Sequence, residues 1–412
     1  MISFQRPKKS HLAITVSFLR TITTKLTMKT LKSLLLGAGA MMAMLTTCSG
    51  NATLTESGLD PAKFDTTIND KPVKLFVLKN AKAEVCVTNF GARVVSIAVP
   101  DKNGKLTDVV LGFDNIREYA DSVNTPSDFG AAIGRYANRI GKGLITVDGK
   151  QIQLPTNNFG HCLHGGPSGW QYSVYEPVEQ NDTCLKMVLH SPDGDNNFPG
   201  NVTATVTYTL TADNTLDMKF EATTDKETVV NMTNHSYFNL SGDPSKPGMD
   251  MELYINADKF TPTDSTFMTT GEIVDVKDTP MDFTTPRVIA KTIGDTAFEQ
   301  IKFGRGYDHN WCLNTYADGK GDDTQVAASL YSPASGIFME VFTNEPGIQC
   351  YTGNFLTGTI KGKKGIAYPQ RASVCLETQK YPDSPNKKNF PSPYLKPGEK
   401  YYSHVAYRFS VK

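Results

Sequence analysis

The chain has 412 residues, which is enough for one large domain or two ordinary ones. Lys plus Arg and Asp plus Glu are equal at 42 each, so the formal net charge is zero, and this balance argues against a broad nucleic-acid-binding surface. Gly and Pro are numerous, at 33 and 23, but they follow no period, which excludes a fibrous repeat and favours a turn-rich globular protein.

The first 50 residues have the pattern of a targeting segment. Met28 is followed by Lys29 and Lys32, by an apolar run over residues 34–45 and by small residues that end at Cys48. An apolar run of this length is typical of a signal peptide and is too short for a membrane span. Leu-Thr-Thr-Cys resembles the lipobox of bacterial lipoproteins, although Thr stands before the Cys where Gly, Ala or Ser is usual.

The lipobox resemblance predicts a chain that starts at Met28, is exported to the bacterial cell envelope and carries a lipid on Cys48, on the periplasmic side or at the outer membrane. This lipid would be its only contact with a membrane. Ordinary secretory cleavage nearby and an uncleaved anchor are the alternatives. We therefore divide the chain into a targeting extension, residues 1–50, and one folded domain, residues 51–412.

The folded part contains apolar runs that are broken by turn residues. In residues 94–113 a turn rich in Pro, Asn and Gly separates two apolar runs, and in residues 144–154 an Asp-Gly pair does the same. Each run–turn–run pattern predicts a β-hairpin. Helical patterns are few and short, at residues 115–120 and 296–302.

Residues 201–222 have the clearest alternation. The even positions of residues 202–210 are apolar or aromatic and Thr fills the odd ones; a turn follows, and the alternation resumes over residues 216–222. A period of two places one face of a strand in a core and the other in water. Residues 401–411 repeat the pattern on odd positions. Many hairpins and little helix predict an all-β fold, either a sandwich or a barrel.

Two motifs suggest a bound group but lack its full pattern. GRYANRIGKG, residues 134–143, has glycines but not the strand, loop and Gly-Lys-Ser/Thr order of a phosphate-binding loop. His161 and His164 could supply half of a zinc site, but no second ligand pair follows at a suitable spacing. We expect neither a metal nor a cofactor.

A set of segments is more specific when taken together. They are GRYANRIGKG (134–143), HCLHGG (161–166), NHSYFNLSG (234–242), YDHNW (307–311) and EPGIQCYTGN (345–354) followed by VCLETQKYPDSPN (374–386). In their order, spacing and residue identities, these segments resemble the aldose 1-epimerase, or galactose mutarotase, family over residues 54–412. The resemblance implies a large antiparallel β-supersandwich with few short helices and an open sugar cleft on one sheet. It also implies a cofactor-free isomerase that interconverts the α and β anomers of free aldohexoses such as galactose and glucose.

The same resemblance implies roles for individual residues. His235 in NHSYFNL matches the general acid of the family, and Glu377 in LETQ matches its general base. The positions that hold the sugar hydroxyls and the ring oxygen are matched by Asn138, Arg139, His164, Tyr237, Asp308 and Gln349.

The chemistry of anomer exchange is consistent with these residue types. One group must remove the proton of the C1 hydroxyl while another protonates the ring oxygen. An unperturbed His titrates near pH 6.5 and an unperturbed Glu near pH 4.3. If Glu377 is the base, the pocket must therefore raise its pKa. Trp170 and Trp311 could cover the apolar face of the sugar or belong to the core. We interpret His161 and His309 as structural or supporting.

Three other functions fit parts of the pattern. A non-catalytic carbohydrate-binding β-sandwich would need no titratable pair. Hydrolysis by two carboxylates would use Asp308 and Glu377, as in glycosidases. An epimerase of hexose 6-phosphates would need several Arg or Lys residues around the phosphate, and only Arg135 and Arg139 lie near the motifs.

Overall fold

The computed structural model describes residues 53–412, and Ala52–Lys412 is a compact unit. Met28, Cys48 and the remainder of the predicted targeting segment lie outside the described residues. Within residues 53–412, no helix has the length and apolar character needed to cross a membrane.

Strands account for most of the regular structure. The first fifteen are β1 Thr66–Ile68, β2 Lys71–Val73, β3 Leu75–Lys79, β4 Glu84–Thr88, β5 Arg93–Pro100, β6 Leu106–Asp108, β7 Ala131–Ile133, β8 Arg139–Ile140, β9 Leu144–Val147, β10 Lys150–Gln153, β11 Cys162–Leu163, β12 Glu176–Gln180, β13 Cys184–Ser191, β14 Val202–Leu210 and β15 Thr215–Thr224. The others are β16 Thr228–Val229, β17 Thr233–His235, β18 Glu252–Ile255, β19 Lys259–Thr261, β20 Val274–Asp275, β21 Arg287–Val288, β22 Asp308–Cys312, β23 Tyr316–Ala317, β24 Lys320–Gly321, β25 Ala328–Tyr331, β26 Ile337–Thr343, β27 Gly347–Tyr351, β28 Cys375–Gln379, β29 Tyr394–Leu395 and β30 Tyr401–Val411.

Helix is limited to short pieces in the described residues. The α-helices are α1, Ile116–Ala120, and α2, Glu299–Gly304; single 3-10 turns lie at Pro61–Phe64, Gly141–Gly143, Trp170–Tyr172, Asp195–Asn197, Ile289–Lys291, Lys363–Gly365 and Ser384–Asn386. The helix predicted at residues 115–120 is confirmed as α1. The Asn115 side chain accepts the Glu118 N–H at 3.2 Å and thereby caps the first turn. The second helix begins three residues later than the predicted residues 296–302.

Three antiparallel sheets form the body of the fold. The largest has nine strands in the order β12-β13-β14-β15-β30-β26-β25-β18-β21. A five-stranded sheet has the order β20-β19-β22-β27-β28, and a four-stranded sheet has the order β3-β4-β5-β6. The prediction of a large antiparallel, nearly all-β fold is confirmed.

The hairpin at residues 201–222 has the predicted register. Val202 pairs with Thr224 and Leu210 with Leu216, and the even-numbered side chains of residues 202–210 and 216–222 are buried. The hairpins predicted in residues 144–154 and 94–113 are β9–β10 and β5–β6. In the 201–222 hairpin the alternation identified the buried face because only one face of each strand meets the core. β5 differs, because its residues are buried on both faces.

One hydrophobic cluster joins the three sheets. Its fully buried members include Tyr208 and Met218 of the nine-stranded sheet, Ile97 of the four-stranded sheet, and Trp311 and Leu376 of the five-stranded sheet. Each fully buried large apolar side chain stabilises the fold by roughly 1.5–3 kcal/mol relative to an exposed one. The core therefore anchors the five-stranded sheet, and that sheet carries four of the residues that line the candidate site, namely Asp308, Gln349, Tyr351 and Glu377.

Candidate active site

The five-stranded sheet presents a row of polar side chains on one face. Gln349 on β27 lies opposite Glu377 on β28, and Asp308 on β22 lies opposite Tyr351 on β27. Gln349 and Tyr351 are two residues apart on one strand, so all four side chains share a face. The Gln349 amide Nε2 donates to Asp308 Oδ1 at 2.7 Å, which fixes both side chains.

The short β8–β11 pair supplies the next group. Arg139 on β8 pairs with Leu163 on β11, so Asn138 and His164 lie side by side at its end. The Asn138 N–H donates to His164 Nδ1 at 3.2 Å, and the Asn138 carbonyl accepts the His164 N–H at 3.2 Å. The Arg139 guanidinium donates twice to Asn158 Oδ1, at 3.2 and 3.0 Å, so its direction is set before any ligand binds.

His235 ends β17 and faces Glu377. Its Nε2 lies 3.5 Å from Glu377 Oε1, and both side chains are at least 95% buried. The ring of Tyr237 stacks on the imidazole with a centroid distance of 4.9 Å, and the His164 ring meets it edge-on at 5.2 Å. These contacts hold His235 in one orientation toward the carboxylate.

These groups converge on one cleft of about 490 Å³. Its lining residues are Pro126, Asp128, Asn138, Arg139, Asn158, Phe159, Leu163, His164, His235, Tyr237, Asp308, Gln349, Tyr351, Phe355 and Glu377. All eight residues that the sequence analysis assigned to catalysis or sugar binding are among them, and all eight are buried side chains. The volume is within the range of small-molecule sites.

Burial shifts the pKa of both members of the His–Glu pair. Burial, and after it the negative charges of Asp308 and Asp128, raise the pKa of Glu377 well above its usual range, while Arg139 opposes the rise. Burial lowers the pKa of His235, and the charge of Asp128 opposes that fall. Opposite shifts bring an acid and a base toward each other in strength, which suits proton exchange near neutral pH.

Three side chains of the cleft keep a buried polar atom without a partner in residues 53–412. They are His235 at Nδ1, Gln349 at Oε1 and Glu377 at Oε2. A buried polar group without a hydrogen bond is costly. A ligand with several hydroxyl groups, such as a sugar, would satisfy these atoms.

Metal-ligating residue types also meet here. Two clusters have their candidate ligand atoms within 4.8 Å of one another, namely Asp128/His164/His235 and His235/Cys375/Glu377. His164 Nδ1 accepts the Asn138 N–H, so its proton lies on Nε2 and that nitrogen has no lone pair for a metal. Burial raises the pKa of the Cys375 thiol well above its usual range, which opposes the thiolate that a metal needs. The donor set fits proton transfer better than metal binding.

The structure decides several interpretations that the sequence left open. Trp170 and Trp311 are fully buried in the core and do not line the cleft, so neither covers a sugar. Arg135 points away from the cleft and donates to Ser191 Oγ at 2.6 Å, which leaves Arg139 as the arginine of the site. His161 bonds Thr266, and His309 Nδ1 accepts the Asp308 N–H, as expected of supporting residues.

Seven lining residues were not predicted from the sequence, namely Pro126, Asp128, Asn158, Phe159, Leu163, Tyr351 and Phe355. Tyr351 could have been found, because it lies two residues after Gln349 on a strand and therefore shares its face. Asp128 lies in a loop, where no periodicity indicates the direction of a side chain.

Comparisons with known proteins identify the family of the chain. A family model for aldose 1-epimerase matches residues 74–408. The chain is 40% identical to the galactose mutarotase of Sus scrofa over 340 residues, which covers 82% of this chain and 94% of that protein. It is 37% identical to the aldose 1-epimerase of Escherichia coli K12 over 343 residues, which covers 82% and 96%.

Solved structures show the same likeness. The aldose epimerase homologue from C. elegans superposes with a TM-score of 0.75 at 32% identity, covering 82% of this chain and 99% of that one. The galactose 1-epimerase from Lactobacillus acidophilus NCFM superposes with a TM-score of 0.71 at 28% identity, covering 84% and 97%. The resemblance found in the sequence motifs is confirmed, and the chain belongs to the aldose 1-epimerase family.

Proposed function

We propose that this isomerase interconverts the α and β anomers of free aldohexoses such as galactose and glucose, with His235 as the general acid and Glu377 as the general base. The single observation that carries the proposal is the buried pair itself, whose Nε2 and Oε1 atoms lie 3.5 Å apart and whose two residues both line the cleft. The C1 hydroxyl and the ring oxygen are bonded to the same carbon, so the groups that serve them must be close together.

Ring opening requires two proton transfers. The Glu377 carboxylate removes the proton of the C1 hydroxyl as the C1–O1 bond becomes a carbonyl. The electron pair of the bond between C1 and the ring oxygen passes to that oxygen, which takes a proton from His235. The product is an open-chain aldehyde that is not bonded to the protein. Each positioned acid or base contributes roughly 10²- to 10⁴-fold.

Ring closure reverses these transfers on the other face of C1. Rotation about the C1–C2 bond presents the opposite face of the aldehyde to the hydroxyl that had been the ring oxygen. His235 takes back the proton of that hydroxyl, and Glu377 returns its proton to the carbonyl oxygen. The pair ends in its starting protonation state, so no external acid, base or oxidant is consumed.

In the proposed mechanism, six other side chains of the cleft hold the sugar. They are Asn138, Arg139, His164, Tyr237, Asp308 and Gln349, which together offer hydrogen-bond donors and acceptors to a ring that carries several hydroxyls. Arg139 also opposes the rise in the pKa of Glu377, so it supports the ionised base.

The charges of the cleft favour a free sugar over a phosphorylated one. Among the lining residues, Arg139 is the one Arg or Lys, and it lies with three carboxyl groups, those of Asp128, Asp308 and Glu377. A phosphate is bound most strongly where several cationic groups converge. The lining charges therefore support a hexose 6-phosphate epimerase less well than an epimerase of free aldohexoses.

A substrate panel tests the proposed function. We expect the purified protein to accelerate the optical-rotation change of freshly dissolved glucose and galactose, and to act far more slowly on glucose 6-phosphate. Polarimetry measures both rates. If the protein accelerated the exchange of no free aldohexose, a carbohydrate-binding module would be the better description. If it released free sugar from a glycoside, it would be a hydrolase.

We further propose that the chain is exported and lipidated at Cys48. The support is the sequence alone, that is, the lysines and apolar run after Met28 and the lipobox-like Leu-Thr-Thr-Cys. Mass spectrometry of the mature protein from its host should find a diacylglyceryl group on an N-terminal Cys48. A mature N-terminus that begins beyond Cys48, or an intact chain that retains Met28, would contradict this.

A further inference from the structure

Asp128 lies beside the proposed general acid, although no sequence motif includes it. One of its carboxylate oxygens, a ring nitrogen of His164 and a ring nitrogen of His235 lie within 4.8 Å of one another. Asp128 lines the cleft and is half-buried. Two unit charges at this separation interact strongly in a partly buried site, because water screens them incompletely.

The loop that carries Asp128 is held on both sides. The fully buried Arg93 donates from Nη1 to the carbonyls of Ser127 and Phe129, each at 3.1 Å, and from Nη2 to the Gln171 carbonyl at 2.8 Å. The two carbonyls belong to the residues directly before and after Asp128. A buried guanidinium thus fixes the backbone at the point where the carboxylate leaves it.

The same loop is tied to the strand of His235. The Gly130 N–H donates to the His235 carbonyl at 2.9 Å, and Ala131 on β7 pairs with His235 on β17. Gly130 has φ +66°, and a Cβ there would lie 1.8 Å from the Val94 carbonyl oxygen. Only glycine fits this close approach, so the separation of Asp128 and His235 is built into the backbone.

Several titratable or charged groups surround the imidazole of His235. They are Glu377 and Cys375 from β28, Tyr237 from beyond β17, His164 from the end of β11, Arg93 from β5 and Asp128 from the loop before β7. Arg93 disfavours a second positive charge on His235, and burial acts in the same direction. Of the two carboxylates among these groups, Glu377 becomes neutral when it takes the proton of the sugar.

Asp128 is the carboxylate that takes no part in the proposed proton transfer. We propose that Asp128 is a positioning residue whose carboxylate keeps the proton on His235 until the ring oxygen receives it. This inference rests on the proposed function of His235 and Glu377. The general acid must still carry its proton when Glu377 has lost its charge, and a fixed neighbouring carboxylate meets that need.

The test compares the parent with Asp128→Asn and Asp128→Glu. We expect Asp128→Asn to move the basic limb of the kcat profile down by roughly one pH unit, at the low end of the effect of an opposite charge within about 4–6 Å. On that limb kcat should fall about tenfold, with KM little changed, whereas Asp128→Glu should restore most of the parent profile. Polarimetry from about pH 5 to about pH 8 covers the range in which histidine titrates.

A direct titration separates this inference from the proposed function. The ring signals of His235, assigned by their loss in His235→Asn, should titrate at lower pH in Asp128→Asn than in the parent. Asp148→Asn is the matched control, because it removes one charge in the β9–β10 turn, outside the cleft, at a positive φ that Asn tolerates. It should leave both readouts unchanged.

Each remaining outcome decides either the role of Asp128 or the proposed function. An active parent with an unshifted limb and an unshifted His235 titration in Asp128→Asn would overturn the role of Asp128. A rise in KM at every pH without a shift would also overturn it and make Asp128 a sugar ligand. An inactive parent would refute the proposed function, while the His235 titration would still report whether Asp128 holds the proton.

Discussion

Replacing Glu377 by Gln is expected to lower kcat by roughly two to four powers of ten at neutral pH, the usual contribution of a general base. Gln keeps the shape of Glu but cannot accept the C1 proton. The register that places residue 377 opposite Gln349 is set by the backbone, so the cleft should keep its form and its affinity for sugar. Polarimetry measures the rate, and calorimetry measures sugar binding by the folded variant.

The matched control is Glu345→Gln. Glu345 is also buried, but it pairs with Lys380 at 3.2 Å and does not line the cleft. Its replacement should cost stability, because the ammonium of Lys380 loses its partner, and should leave kcat near that of the parent. A Glu377→Gln protein that exchanges anomers at close to the parent rate would end the mechanism described above.

The pKa shifts predict the pH dependence of the same reaction. Glu377 works as a base only when it is ionised, and its pKa is raised, so activity should be lost as pH falls through a value above the roughly 4.3 of an ordinary Glu. His235 works as an acid only while it carries its proton, so activity should also be lost at high pH. The profile of kcat/KM should be bell-shaped and belongs to the pair jointly.

Replacing His235 by Asn is expected to cause a loss of similar size, roughly two to four powers of ten. Asn can hydrogen-bond to the ring oxygen but cannot protonate it as the ring opens. Because the acid and the base act in one coupled process, the double variant with Glu377→Gln should be little worse than either single variant. Additive losses would indicate two independent steps and would contradict the coupled transfer.

His161→Asn is the comparison variant for His235. Its ring lies near the cleft, where Nδ1 accepts the Lys142 N–H at 3.0 Å and Nε2 contacts Thr266 Oγ1 at 2.9 Å, but it does not line the cleft. We expect His161→Asn to retain most activity. Circular dichroism of both variants shows whether a loss reflects chemistry or unfolding. A His235→Asn protein with near-parent kcat would remove His235 from the acid role.

The sequence determined the local part of the fold. The alternation in residues 201–222 fixed which side chains of β14 and β15 are buried, because a strand next to a core tolerates apolar residues on one face only. Asn115 likewise marked the start of α1 by capping it. The boundary of α2 was predicted less well, because Phe298 at its N-cap makes no side-chain cap bond that the sequence could have indicated.

The motifs by themselves determined the family and named eight residues that line the cleft. Only the tertiary structure decided that Trp170 and Trp311 are core residues and that Arg135 points away. It also placed Asp128 beside His235 through the pairing of β7 with β17, more than a hundred residues apart in the chain. Periodicity gives the face of a strand, but long-range strand pairing decides which faces and loops meet across a cleft, and that pairing depends on the packing of the whole chain.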